Sequence, residues 1–352
     1  ILAGALALAG VGGIANAATE MNLGGSSAGK QFATDVPLNL CDAAPIPDRY
    51  SSADNNKVTW VCKRGGLDII LRYSATGSSD GVNKILATTG TPASKMDYLD
   101  HLLTTGCSGP TLTTRASDGK QYNNTINCNN GNITNLPTHM GASDVAGSSF
   151  HQVGPVGTFV NPLDDTTLNS VPTAIVPFSL FAAKGVVKLN ATGTGPNGPI
   201  DGLSRLQIEQ IFARAVTDWR QLGFGTVTDA APGTLEATSP ILLCQRNAGS
   251  GTKATFDETV MINTTEFAVA IPTQTIFSSS SSGVLTCLTG NRRSIGYMDS
   301  DAVTNFNGGG GSAGLAYAVR IDGGLANDPA LTDPKRDLKC GKYAYWAGWR
   351  LN

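Results

Sequence analysis

Three segments put Gly, Ser and Thr where a strand hands over to a helix: Gly24-Gly25-Ser26-Ser27-Ala28-Gly29, Thr76-Gly77-Ser78-Ser79-Asp80-Gly81 and Ala248-Gly249-Ser250-Gly251. A helix N-terminus presents unpaired N–H groups and the positive end of the macrodipole. Glycine lets the backbone approach a ligand, and Ser or Thr adds hydroxyls. Several such turns converging would bind an anion. Arg246, just ahead of the third turn, adds a planar cation that can give bidentate hydrogen bonds to an oxyanion. Taken singly, each turn is also an ordinary helix cap, a position that Ser and Asp favour.

Two enzymatic patterns overlap the first turn. Gly24 to Lys30 fits G-x-x-x-x-G-K, but Gln31 stands where a P-loop needs a magnesium-binding Ser or Thr. Gly25 to Gly29 fits G-x-S-x-G with Ser27 as nucleophile, an elbow that normally follows several strands, whereas this one precedes them. Its candidate bases are His101, His139 and His151, the only histidines. The expectation is therefore binding without catalysis and without a cofactor. Seven cysteines contain no C-x-x-C pair and none lies at metal-ligand spacing from a His, so no metal site is expected.

The elements that must position these residues follow one pattern. Met21–Leu23, Leu67–Tyr73 and Ile241–Arg246 are short apolar strands, each leading through its turn into a helix: from Lys30, over Val82–Ala87, and over Thr252–Met261. Three such units indicate an α/β fold. Residues 88–139 are polar, hold Cys107 and Cys128, and read as a disulfide-closed excursion on the surface. Val171–Val187 reads as a buried strand pair. Leu203–Leu222 reads as one amphipathic helix with Leu206, Ile208, Ile211, Phe212, Ala215 and Trp219 on one face. Ser278–Ser282 reads as a flexible loop and Gly308–Ser312 as a linker.

The 352 residues favour two domains, and a 41% hydrophobic content supports a sizeable core. Only 15% of residues are charged, and 25 Lys+Arg against 27 Asp+Glu leave a net charge of −2 with no basic stripe, so nucleic acid is not an expected partner. The 42 Gly and 17 Pro indicate a turn-rich globular chain rather than a coiled coil. Ile1 to Ala17 is apolar and ends in Ala15-Asn16-Ala17, an A-x-A cleavage pattern. It reads as part of a secretory signal, or, if retained, as an apolar arm whose surface another subunit would have to bury.

Four motifs then occur in a fixed order: Tyr73-Ser74-Ala75-Thr76-Gly77-Ser78-Ser79-Asp80-Gly81, Gly141-Ala142-Ser143-Asp144, Arg246-Asn247-Ala248-Gly249-Ser250-Gly251-Thr252, and Ser294-Ile295-Gly296-Tyr297. From about Met21 to Tyr297 the chain resembles the phosphate-binding proteins of ABC phosphate importers. The resemblance implies a type II periplasmic binding protein fold, two α/β lobes with a ligand cleft between them. Lobe 1 would be residues 18–172 plus 303–352, with 88–139 inserted, and lobe 2 would be 173–302. It also implies inorganic phosphate held by Ser27, Ala28, Ser78, Asp144, Arg246, Ser250, Gly251 and Thr252. Asp144, when ionised, only accepts hydrogen bonds, so it would require a proton on the ligand and favour hydrogen phosphate over sulfate. Ala248 stands where the family often has an Asp, and Asp80 replaces a Gly. The layout further suggests Cys41–Cys62, Cys107–Cys128 and Cys244–Cys287 bridges among the 15 pairings that six cysteines allow, leaving Cys340 over. The expected setting is periplasmic or extracellular, with an ABC importer as partner. The competing expectation is a structural subunit that self-associates into an extracellular filament through residues 1–17.

Overall fold

A computed structural model describes residues 18–150, 162–228, 234–262, 264–300 and 316–352. The apolar start at 1–17, His151 and the Gly308–Ser312 linker lie outside the described residues.

Apolar residues pair side by side in three strands of the amino-terminal half. Thr19–Gly25 runs parallel to Leu67–Ala75, with Leu23 opposite Tyr73, and parallel to Met140–Ser143, with Gly25 opposite Ala142. Strands that run parallel finish at one edge of the sheet. The segments that follow them, Ser26-Ser27, Gly77-Ser78 and Asp144, therefore emerge together, at the end of a parallel sheet where α/β folds place ligands. A second parallel group lies elsewhere in the same sheet. Leu242–Arg246 pairs with Thr275–Ser278, setting Arg246 opposite Ser278, and with Ser294–Asp299, setting Cys244 opposite Gly296.

One strand links the two groups. Val171–Ala183 pairs antiparallel with Trp346–Leu351 along its first half and with Ser294–Asp299 and Ala316–Ile321 along its second. Trp346–Leu351 in turn pairs with Met140–Ser143, which joins both groups in one open 14-stranded sheet. The expected strand pair over Val171–Val187 is thus a single 13-residue strand. The segment Val186–Leu189 that follows it joins a separate three-stranded sheet. The alternation of strands and helices gives the α/β class.

The carboxyl-terminal part differs from the expected division at 303. Ala316–Ile321 pairs with Leu180–Ala183, and Tyr343 and Tyr345 sit in the core formed by Phe178, Phe212, Phe256 and Tyr297. Residues 316–345 therefore pack with the second group, and only Trp346–Leu351 returns to the first. Burial explains this: the Tyr343 hydroxyl donates to the Phe178 carbonyl at 2.7 Å and that of Tyr345 to the Thr252 carbonyl at 3.1 Å, which gives both buried phenols a partner.

The expected helix over Leu203–Leu222 is two pieces. Ser204 caps an α-helix Arg205–Phe212 through a capping box with Gln207, and Asp218 caps a 3₁₀ turn Trp219–Leu222 through a second box with Gln221. Between them Arg214 takes φ 63°, a left-handed conformation that ends the first helix. Ile208, Ile211, Phe212 and Trp219 of the expected apolar face are buried, but Leu206 and Ala215 are exposed.

Residues 88–139 are not only a surface excursion. Gln121–Cys128 joins the main sheet parallel to Asp48–Ser52, and Met96 and Tyr98 are buried, with the Met96 sulfur under Gly24. Ser108–Thr114 remains an exposed edge strand. Disulfides join Cys41 to Cys62, Cys107 to Cys128 and Cys244 to Cys287, and Cys340 is an exposed free thiol. No helix among the described residues is long and apolar enough to cross a membrane.

Candidate anion-binding site

The turn Gly77-Ser78 opens the helix Ser78–Leu86 and the strand Met140–Ser143 ends at Asp144. Their close approach depends on glycine: a Cβ on Gly81 would lie 2.2 Å from the Ala142 carbonyl oxygen, and one on Gly141 would lie 1.9 Å from that of Gly81. With the backbones this close, Ser78 Oγ donates to Asp144 Oδ2 at 3.0 Å and accepts from the Asp144 N–H at 3.2 Å. Ser26 Oγ donates to Asp144 Oδ1, and Tyr73 donates to the Ser26 carbonyl, fixing the first turn from below. Each carboxylate oxygen of Asp144 thus holds one serine hydroxyl and keeps capacity for another donor.

Asp144 is buried, and burial pushes its carboxyl above the usual range. The hydroxyls of Ser26 and Ser78 and the charge of Arg246 pull the other way.

Arg246 ends its strand with a side chain only 1% exposed. Nη2 donates to Ser27 Oγ and to the Ser279 carbonyl, both at 3.1 Å, and Nη1 donates to Ser281 Oγ at 3.1 Å and Thr252 Oγ1 at 3.4 Å. All four oxygens belong to uncharged groups. Nε is buried without a hydrogen-bond partner. Burial lowers the guanidinium's pKa, while the charges of Asp299 and Asp144 raise it.

Ser250 caps the helix Gly251–Thr259 by accepting from the Lys253 N–H at 3.3 Å. Helix geometry leaves the N–H groups of Gly251 and Thr252 without intrahelical acceptors. The helix start abuts the first group of strands. A Cβ on Gly251 would lie 2.4 Å from Ser78 Oγ and 2.5 Å from Asp144 Oδ2, and the Ser79 N–H donates to the Gly249 carbonyl at 3.0 Å. Below it, Phe256 stacks on Tyr297 at 4.3 Å between ring centroids. Lys253 is buried beside Glu266 and Asp257, and burial lowers its pKa against the charge of Asp257.

The structure therefore brings together Ser27, Ser78, Asp144, Arg246, Ser250, Gly251 and Thr252. Ala28 stands apart from the others in role: its N–H donates to Ser26 Oγ at 3.1 Å and its methyl packs on the core. Residues that sequence reading did not single out are Ser26, Tyr73, Ser279 and Ser281. The Ser-rich segment read as a flexible loop is instead a built corner, where Ser280 Oγ caps the helix Ser281–Gly290 by accepting from the Gly283 N–H at 3.2 Å. A serine run directly ahead of the apolar Val284-Leu285 is a helix-start signal, and it could have shown this.

The enzymatic patterns over the first turn find no support in the geometry. Lys30 donates to the Asp54 carbonyl at 2.9 Å instead of turning back over Gly24–Gly29. Ser27 Oγ accepts from Arg246, His139 Nδ1 accepts from the Asn22 N–H at 3.1 Å instead of facing Ser27, and His101 packs on Tyr50. Among the described residues, no three His, Cys, Asp or Glu side chains are grouped to hold a metal ion.

Among solved structures, an ABC-type phosphate transport receptor from Vibrio cholerae aligns over 95% of this chain and 86% of its own, at 14% identity and a TM-score of 0.40. A possible phosphate binding protein from Planctomyces limnophilus aligns over 95% and 81%, at 11% identity and a TM-score of 0.35. No curated protein matches the sequence. One family model does: residues 171–329, which hold the long linking strand, the strand of Arg246 and the helix that follows it, are similar to a PBP superfamily domain.

Proposed function

We propose that the protein captures inorganic phosphate, as hydrogen phosphate, between two lobes. The first is built on the strands around Thr19–Gly25 and the second on those around Leu242–Arg246. The observation that carries this reading is the pairing of a buried Arg246 with a buried Asp144 across converging helix starts. Arg246 supplies a fork of donors to the ligand's oxygens, and the Gly251 and Thr252 N–H groups add donors aligned with a helix dipole. Asp144, with hydroxyls already on both oxygens, accepts the ligand's own proton. An oxyanion lacking that proton would set acceptor against acceptor, which selects hydrogen phosphate over sulfate.

Closure of the lobes brings Ser27 of one against Arg246 of the other, and the entering ligand takes over that contact. Three disulfides suit an oxidising, periplasmic or extracellular setting, in which a captured anion is delivered to an ABC importer. The test is calorimetry on protein stripped of ligand by unfolding and refolding. One phosphate bound per chain with discrimination against sulfate is expected. The absence of heat with phosphate refutes the reading.

A further inference from the structure

Arg246 is the buried cation of the site, yet the residues two places further on offer it nothing: Ala248 is there, and all four described hydrogen bonds of the guanidinium go to uncharged oxygens. Two of those oxygens sit on ligand-facing motifs, Ser27 and Thr252. The other two, the Ser279 carbonyl and the Ser281 hydroxyl, belong to the corner between the strand Thr275–Ser278 and the helix Ser281–Gly290, outside every motif assigned to the ligand.

This corner is fastened to the arginine's own strand from three sides. Arg246 lies opposite Ser278 in the parallel ladder, the Asn247 N–H donates to the Ser278 carbonyl at 2.9 Å, and Cys244, two residues before Arg246, is bridged to Cys287 of the corner's helix. The capping function there falls to Ser280, so the Ser281 hydroxyl is not needed to start the helix.

We infer that Ser281 and the Ser279 carbonyl form a neutral clamp that positions the Arg246 guanidinium for the anion. Each end nitrogen is held once from this side, Nη1 by the Ser281 hydroxyl and Nη2 by the Ser279 carbonyl, at 3.1 Å each. The fork is thereby fixed in plane, while Asp299 and Asp144 act on it through their charge. Ser281 is a positioning residue, and its role rests on the phosphate reading above.

The experiment compares wild type, Ser281→Ala and Ser281→Thr in two ways. Calorimetry with inorganic phosphate is expected to show about tenfold weaker binding for Ser281→Ala, the loss of one hydrogen bond to a charged group, with Ser281→Thr within about twofold of wild type. Nitrogen-15 spectra of the arginine side chains, taken without phosphate, are expected to show slowly exchanging Nη–H signals of Arg246 in wild type and Ser281→Thr, and their broadening in Ser281→Ala. Phosphate affinity of Ser281→Ala within about twofold of wild type overturns the clamp, and so do unchanged Arg246 signals. If wild type itself takes up no phosphate, the proposed ligand is wrong, while the spectra still decide whether Ser281 holds the arginine.

Discussion

Replacing Asp144 by Asn keeps the side chain's size and removes its charge. In the wild-type site, Oδ1 and Oδ2 each accept one serine hydroxyl, from Ser26 and Ser78. In the variant the amide oxygen keeps one of these, and the other hydroxyl rotates to accept from the amide nitrogen, so both serines stay paired. Hydrogen phosphate then donates its proton to a neutral oxygen instead of a carboxylate, a loss of about 1 kcal/mol. Sulfate gains more. Its oxygen no longer faces a buried carboxylate and meets an N–H donor, which relieves an unpaired contact worth about 1.5–3 kcal/mol. The two changes add in the selectivity ratio, so discrimination between phosphate and sulfate should fall by about 2.5–4 kcal/mol, roughly two to three orders of magnitude. The assay is competition calorimetry at neutral pH, titrating phosphate into sulfate-saturated protein. An unchanged ratio would show that Asp144 does not read the ligand's proton, and the argument for hydrogen phosphate would fail with it.

Arg246→Lys should weaken phosphate binding by at least roughly a hundredfold in calorimetry, because a single ammonium cannot supply the fork and leaves the Ser27, Ser279 and Ser281 oxygens unpaired; a loss below tenfold argues against the site. Gly251→Ala places a methyl 2.4 Å from Ser78 Oγ, so thermal unfolding should report a destabilisation of about 1–3 kcal/mol together with weaker phosphate binding, and a variant as stable as wild type would mean the two groups of strands do not meet there. Burial raises the folded-state pKa of Asp144 above its unfolded value, so its contribution to stability is fully present below the unfolded pKa and is lost as pH rises through the folded one. Denaturant unfolding of ligand-free protein from roughly pH 4 to 7 should therefore show wild type losing stability relative to Asp144→Asn as pH increases, and the opposite slope would contradict the assigned burial. Removing the Cys244–Cys287 bridge, which spans 43 residues, should cost about 4 kcal/mol by chain entropy and should also lower phosphate affinity through the arginine clamp; intact affinity in a destabilised double Ala variant would separate the two effects.

The strand, turn and helix units were readable because each rests on local rules. Apolar runs such as Leu67–Tyr73 and Ile241–Arg246 form strands, and the Gly/Ser turns after them start helices. Parallel pairing then places the ends of Thr19–Gly25, Leu67–Ala75 and Met140–Ser143, and so Ser27, Ser78 and Asp144, together at one end of the sheet. What escaped the reading depends on distant partners. Leu203–Leu222 has a continuous apolar face, but Asp218 accepts from the Ser239 N–H at 2.9 Å, a contact that pulls the chain out of the helix and that no periodicity reveals. The serine run at Ser278–Ser282 has the composition of a loop, and becomes a rigid corner only because Arg246 and the Cys244–Cys287 bridge reach it from another strand. Tyr345 lies outside every sequence motif, yet its hydroxyl donates to the Thr252 carbonyl at the start of the helix Gly251–Thr259.

The low charge of the chain and the chemistry of the site have one explanation. Arg246 and Asp144 are both buried and of opposite sign, and Asp299 adds a further negative charge beside Arg246, so these groups bring no net positive field to a dianion. The attraction must come from the direction of donors: the guanidinium fork on one side, the Gly251 and Thr252 N–H groups at a helix start on another, and serine hydroxyls between them. A basic surface would add affinity for any anion, sulfate included. A neutral site lined by fixed donors and one fixed acceptor binds only the anion whose proton count matches. In that arrangement, a serine hydroxyl and a carbonyl orient the guanidinium, and the carboxylates of Asp299 and Asp144 balance its charge. The absence of a carboxylate at Ala248 and the presence of a braced serine corner opposite Arg246 are two sides of the same solution.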